Sequence, residues 1–172
     1  MKSKNNLQLE KVGIESVARV QKIIEGAPTF TMNTEGQKRD PDYARRALQA
    51  LPPGCNTSQK YFFVIKSSEV EVGVADLIQD YPSKGTALLG LLLVMESWQR
   101  KGLGRAAYFL LENFATVSLS ASKIRLAYID SNPVCAFWEK LGFKPTGETK
   151  PYKGTAKVST AHVMEKELER VQ

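Results

Sequence analysis

Between Ala87 and Arg105 the chain passes from an apolar run, Ala87-Leu88-Leu89-Gly90-Leu91-Leu92-Leu93-Val94, through a polar loop ending Gln99-Arg100-Lys101-Gly102, into apolar residues at helical spacing, Ala107, Leu110, Leu111 and Phe114. No other stretch limits the possible folds as much. A strand that is apolar at consecutive positions is expected to be covered on both faces, as central strands are. The amphipathic helix behind it leads to a further strand pattern at Ile124, Leu126 and Tyr128. Strand–helix–strand crossovers within one sheet are right-handed and make their two strands parallel. The chain therefore needs a sheet with helices packed on it.

The remaining elements follow from periodicity and punctuation. Leu7, Leu9 and Val12 predict an opening strand, and Ile14, Val17, Val20 and Ile24 predict a helix. Gly26 to Lys38, with its Gly, Pro, Asn and Thr, reads as a loop. Asp40-Pro41 reads as an N-cap followed by proline at the first helical position, opening a helix with Ala44, Ala47, Leu48 and Leu51 on one face. Tyr61 to Ile65 is β-rich, Ser67-Ser68 reads as a turn, and Val70, Val72 and Val74 alternate as a strand. A turn over Tyr81 to Gly85 leads into the apolar run. Beyond Tyr128, Asn132-Pro133 reads as the cap of a short helix that ends at Gly142, and extended segments near 143–149 and 158–166 finish the chain. The order predicts a single domain over residues 1–172, of mixed α/β (α+β) class, with about seven strands in one sheet flanked by helices.

Composition bounds the function. With 172 residues, 42% apolar and 24% charged, the chain has the make-up of one soluble globular domain. The longest apolar stretch, Thr86 to Met95, is too short for a membrane span, so no membrane association is expected. The basic start, Met1 to Asn6, has no apolar region behind it and is not expected to be a secretory signal. Cys55 and Cys135 make no disulfide framework, which points to a reducing, cytoplasmic setting. No metal site is expected. The net charge of +6 is dispersed and interrupted by Glu96, Glu112, Asp130 and Glu139, so nucleic acid is not the expected partner. A moderately basic chain equally suits a small polyanion.

The polar loop is where such an anion would bind. A helix N-terminus offers free N–H groups and the positive end of its dipole. Gly102 and Gly104 let phosphate oxygens approach the backbone, and Arg100, Lys101 and Arg105 add charge. The alternative is a plain tight strand-to-helix turn with incidental basic residues.

Gln99-x-x-Gly102-x-Gly104 resembles the Gln/Arg-x-x-Gly-x-Gly/Ala signature of GNAT acetyltransferases. Downstream, Asn132-x-x-x-Ala136-Phe137-Trp138-Glu139-Lys140-Leu141-Gly142-Phe143 resembles that family's second motif. The resemblance covers residues 60 to 168 well, and the first 60 only in element order. It implies a mostly antiparallel mixed sheet with a splayed parallel pair, and acetyl-CoA as co-substrate. Leu92, Leu93 and Val94 would pair with the pantetheine arm. Gln99, Arg100, Lys101, Gly102, Leu103, Gly104 and Arg105 would hold the pyrophosphate. Asn132 would touch the coenzyme, beside its capping role, and Phe137, Trp138 and Lys140 would line its other side, although Phe137 and Trp138 also fit a plain core.

The implied reaction is attack of a neutral amine on the thioester, which calls for a base and allows an acid. The family commonly has Tyr as that acid where this chain has Trp138. Tyr128 is the substitute considered. Asp76 is the first candidate base because it shares the parity of Val70, Val72 and Val74, where apolar surroundings would raise its pKa. A bulge turning it to water, or a structural hydrogen bond, is the alternative. Glu96 and Asp80, both near turns, are weaker candidates. Cys135 is expected to be a packing residue, and His162 to be structural or exposed. Two other readings compete: a catalytically degenerate acyl-CoA-binding or regulatory module, and a dinucleotide-binding oxidoreductase suggested by Gly102-Leu103-Gly104-Arg105-Ala106-Ala107. The acceptor is expected to be a small-molecule or peptide amine. The sequence is silent on oligomeric state, and a dimer is possible.

Overall fold

The computed structural model describes residues 6–169. The basic start at residues 1–5 lies outside the described residues. Strands β1 (Leu7–Val12), β2 (Lys60–Ser67), β3 (Val70–Gln79), β4 (Thr86–Val94), β5 (Lys123–Ile129), β6 (Lys144–Lys153) and β7 (Val158–Glu167) form one sheet in the order β1-β2-β3-β4-β5-β7-β6. Among the described residues only β4 and β5 pair in parallel. Helices α1 (Val17–Glu25), α2 (Pro28–Glu35), α3 (Tyr43–Gln49), α4 (Leu103–Val117) and α5 (Cys135–Lys140) flank it. The mixed α/β reading, the seven strands and the parallel pair are all as expected. A sheet of this kind is not the doubly wound parallel sheet of a dinucleotide-binding domain, and that reading is set aside.

Each face of the sheet carries its own core. On one, α4 buries Leu103, Ala107, Tyr108, Leu111 and Ala115, a stripe at three- and four-residue spacing, against Phe63, Ile65, Ala75, Leu77 and Leu126. On the other, Val20, Ile23 and Ile24 of α1 and Ala44 and Leu48 of α3 pack on Phe62, Val64 and Val74. Strand β4 serves both cores, but not by having two covered faces throughout. Ala87 and Leu89 belong to the α4 core, whereas Leu91 and Leu93, of the same parity, belong to the other. The register explains the switch. Asp76 pairs with Leu91 and Leu77 with Leu89, so Gly90 is an extra residue, a β-bulge that reverses the phase of the strand. The run Leu91-Leu92-Leu93 reads without alternation because both phases are apolar.

The bulge also ends the parallel pairing. β4 and β5 pair from Thr86↔Lys123 to Leu89↔Leu126 and no further. Beyond that point the strands splay, and the β5-facing edge of β4 from Gly90 onward has no strand partner among the described residues.

Several local expectations are corrected. The loop read over Gly26 to Lys38 contains helix α2, whose Thr- and Asn-rich sequence has poor helix propensity and no apolar stripe. Its ends carry it. Pro28 starts it, the Glu96 carboxylate accepts from Thr29 N at 2.7 Å, and Gly36 closes it at φ 81°. The Asp40-Pro41 helix start lies further on: α3 begins at Tyr43 and stops at Gln49, before Leu51, and Asp40 is instead a buried acceptor. The first hairpin turns at Ser68 and Glu69, one residue later than read. Asn132 does not cap α5, whose N-cap residue is Val134. Asp80, in the second hairpin, accepts from Gly85 N at 2.7 Å and is a turn residue.

Candidate active site

The splay and the start of α4 together shape one crevice. Its outer part runs beside the α4 N-terminus and is lined by Leu92, Leu93, Val94, Gln99, Arg100, Gly102, Leu103, Gly104, Arg105, Asn132 and Phe137. Its inner part is a cavity of about 230 Å³ between β4 and β5, lined among others by Leu89, Gly90, Tyr128, Ile129 and Trp138. Both parts share Phe30, Leu92, Val94, Gly104, Asn132, Val134 and Phe137, so the crevice is continuous.

The loop before α4 is built to expose backbone N–H groups. Glu96–Trp98 forms one 3-10 turn, and Arg100 and Gly102 both have positive φ, 58° and 77°. Gly102 is the N-cap, with no side chain to occupy the free amides that follow. Arg100 carries strain that a glycine would not, and such strain gathers at binding loops. Gln99 Nε2 donates to the Val94 carbonyl at 2.8 Å, tying the loop back to the strand. Lys101 is placed differently from its neighbours. Its Nζ donates to Ser97 O at 3.0 Å and lies over the Trp98 ring, outside the crevice lining. Lys140 likewise lies outside the lining of both parts, on the exposed side of α5. Trp138 is a core residue that also edges the inner cavity, with its ring against Tyr108, Phe137 and Phe143.

The candidate catalytic groups separate clearly. Tyr128 lines the inner cavity and stacks on His162, centroids 5.2 Å apart. The Cys135 thiol beside it and partial burial push its pKa up to about 12, so the hydroxyl keeps its proton at neutral pH. His162 Nε2 lies 2.6 Å from Asp130 Oδ1. Asp76 is buried on the α1–α3 side, behind Gly90 rather than in the cavity lining. A Cβ on Gly90 would stand 3.1 Å from Asp76 Oδ2, so only glycine fits comfortably over the carboxylate. Asp76 Oδ2 accepts from Lys60 Nζ at 2.8 Å, and that ammonium also donates to Ala50 O at 2.9 Å. Asp76 Oδ1 is buried and has no partner among the described residues. Burial raises the Asp76 pKa, with Lys60 opposing it. Glu96 is mostly exposed, and Thr29, through its side chain and its N–H, holds the carboxyl below the ordinary range, which suits a helix cap and not a base.

Sequence reading missed Lys60 and the aromatic wall of Phe30, Tyr43 and Tyr152. The three ring residues come from α2, α3 and β6, Lys60 comes from β2, and no local pattern joins them.

A family model described as the acetyltransferase (GNAT) family matches residues 23–143. The chain belongs to the GNAT acetyltransferase family. The match starts well before residue 60, so it takes in the end of α1 and all of α2 and α3. Solved GNAT structures share the fold. An acetyltransferase from Thermus thermophilus is 24% identical, with 94% of this chain and 97% of that one covered and a TM-score of 0.74. The spermidine N-acetyltransferase of Vibrio cholerae, in complex with CoA and spermine, is 14% identical over 94% and 95%, TM-score 0.68. The ribosomal-protein-S18-alanine N-acetyltransferase of Escherichia coli is 17% identical over 96% of each chain, TM-score 0.65. No curated protein matches the sequence significantly.

Proposed function

We propose that this GNAT protein transfers an acetyl group from acetyl-CoA to a primary amine by direct attack on the thioester. The observation that carries this reading is the continuity of the crevice, from the free amides before α4 to the unpaired edge of β4 and the cavity in the splay. The amides of residues 99–105, with Arg100 and Arg105, would hold the pyrophosphate. The free β4 edge near Leu92 and Leu93 would pair with the pantetheine amides as an added strand does. Asn132, which does not cap its helix, faces the same crevice and would meet the coenzyme. Lys101 and Lys140 would contribute only long-range charge.

In the transfer the amine nitrogen bonds to the carbonyl carbon and the carbon–sulfur bond breaks. Tyr128, protonated at neutral pH and in the cavity, would give its proton to the departing thiolate. It stands in for the Tyr that Trp138 replaces. Asp76, with its raised pKa and its Oδ2 behind Gly90, would take the amine proton through water at Gly90. Glu96 has no part in the chemistry in this scheme. A hydroxyl in the cavity argues for an active enzyme over a degenerate binding module.

Titration calorimetry tests the first half. Acetyl-CoA and CoA are expected to bind and NAD not to, and absence of CoA binding at millimolar concentration would overturn the reading. Release of free thiol in the presence of amines tests the second, and a protein that binds acetyl-CoA without releasing thiol to any amine is a binding module.

A further inference from the structure

We infer that the acceptor is a monoamine with an aromatic or branched apolar body, and not a polyamine. The inference rests on the proposed acetyl transfer and narrows it. Beyond Gly90 and Tyr128, the wall of the inner cavity is made by Phe30, Thr34, Tyr43 and Tyr152. Thr34 contributes no free donor, because its hydroxyl already bonds Phe30 O at 3.0 Å. The other three residues of that wall are aromatic, and most of the rest of the lining is aliphatic.

A polycationic acceptor would need carboxylates for the ammonium groups that do not react, since burying an unpaired charge is far more unfavourable than burying a ring. Among the described residues, the carboxylates near the cavity are already engaged. Glu35 Oε1 accepts from the Tyr152 hydroxyl at 2.8 Å, and its Oε2 accepts from Thr155 N and Oγ1, both at 2.9 Å. Asp40 takes the Arg46 guanidinium, the Thr155 hydroxyl and the Asp42 N–H. Asp76 holds Lys60 and Asp130 holds His162. None of these acids is part of the cavity lining. Glu35 is joined to the cavity through Tyr152, whose ring lines it and whose hydroxyl Glu35 holds. Aromatic faces favour one ring or one cation at a time. The volume of about 230 Å³ is below the range of about 300–1,000 Å³ usual for drug-sized ligands, which suits a small acceptor.

The test compares kcat/KM for 2-phenylethylamine, spermidine and a short peptide with an N-terminal phenylalanine, at saturating acetyl-CoA. Phenylethylamine is expected to exceed spermidine by about tenfold or more, a difference of ~1.4 kcal/mol. Tyr152→Ala removes a ring of this wall and the hydroxyl that occupies Glu35 Oε1. It is expected to lower kcat/KM for phenylethylamine and raise it for spermidine, with acetyl-CoA affinity from calorimetry unchanged. Preference for spermidine in the wild type overturns the inference. So does use of the peptide alone, or no turnover of phenylethylamine by a protein that binds acetyl-CoA. Equal loss on both amines in Tyr152→Ala, with normal coenzyme affinity, also overturns it. If the variant does not fold, the wild-type ratio decides. Absence of acetyl-CoA binding would overturn the proposed transfer, and the acceptor inference with it.

Discussion

Lys60 and Asp76 are both buried, and Lys60 Nζ lies 2.8 Å from Asp76 Oδ2. Removing one partner of a buried pair leaves the other uncompensated, so single substitutions here act through electrostatics more than through packing. Lys60 lowers the Asp76 pKa against the rise caused by burial. Lys60→Met should therefore raise it further. A base works only when deprotonated, so the acidic limb of the kcat/KM profile should move to higher pH, which a pH–rate series would measure. A profile unmoved in an active variant would remove Asp76 from the mechanism. Asp76→Asn should lower kcat about a hundredfold or more with acetyl-CoA affinity unchanged, and the loss should shrink at high pH, where the amine is already neutral. Gly104 offers a cleaner probe of the coenzyme site. A Cβ there would meet only the Phe137 ring, at 3.6 Å, so Gly104→Asp should fold. Its carboxylate would oppose the pyrophosphate and weaken CoA binding by more than about tenfold, ~1.4 kcal/mol, by calorimetry. Unchanged affinity would place the phosphate elsewhere.

At the scale of elements, α2 matters more than its length suggests. Besides the Glu96 cap, Asn33 O accepts from Ser131 Oγ at 2.6 Å and Glu35 O accepts from Ala156 N at 2.7 Å. The helix is thus held by the loop before α4, the loop before α5 and the β6–β7 hairpin. Arg46 of α3 completes this join by serving both Asp40 and Glu35. Arg46→Ala would leave two buried carboxylates without their cation. The expected loss is about 2 kcal/mol, less than for a fully buried pair because the guanidinium is half exposed. The same contact has a pH signature. Arg46 holds the Asp40 carboxyl below its ordinary 3.8. A lowered folded-state pKa contributes stability above the unfolded value, and that contribution is lost as pH falls through the folded value. The wild-type melting temperature should fall more than that of Arg46→Ala between about pH 5 and about pH 3, and thermal melts at both pH values would check it.

For the whole molecule, the splay is an opening the coenzyme would fill, and a ligand that binds only the folded state stabilises it by mass action. At about a hundred times its Kd, acetyl-CoA should add ~2.7 kcal/mol, a rise in Tm of about 5–10 °C. NAD should add none, and Gly104→Asp should lose the shift at the same acetyl-CoA concentration. Equal shifts from both nucleotides would point to nonspecific anion binding.

The element order, the α4 stripe and the glycine loop before it were legible in the sequence because each is local: periodicity, caps and glycine spacing act over a few residues. Gln99 to Gly104 and Asn132 to Phe143 carried the family for the same reason. Other features depended on contacts between distant segments. Helix α2 has no apolar stripe, and its cap comes from Glu96, 67 residues away. The bulge at Gly90 was hidden because leucines occupy both phases of β4, so a one-residue phase change leaves no mark in the pattern. It shows only in the pairing with β3. Lys60 meets Asp76 through the β2–β3 register, and Tyr152 reaches Glu35 across 117 residues. The sequence by itself determined the fold class and pointed to the glycine loop before α4 as the proposed place for phosphate. Which acid is buried, which tyrosine faces the cavity and where the sheet opens were decided only by tertiary structure, because each depends on a strand register or a side-chain partner far along the chain.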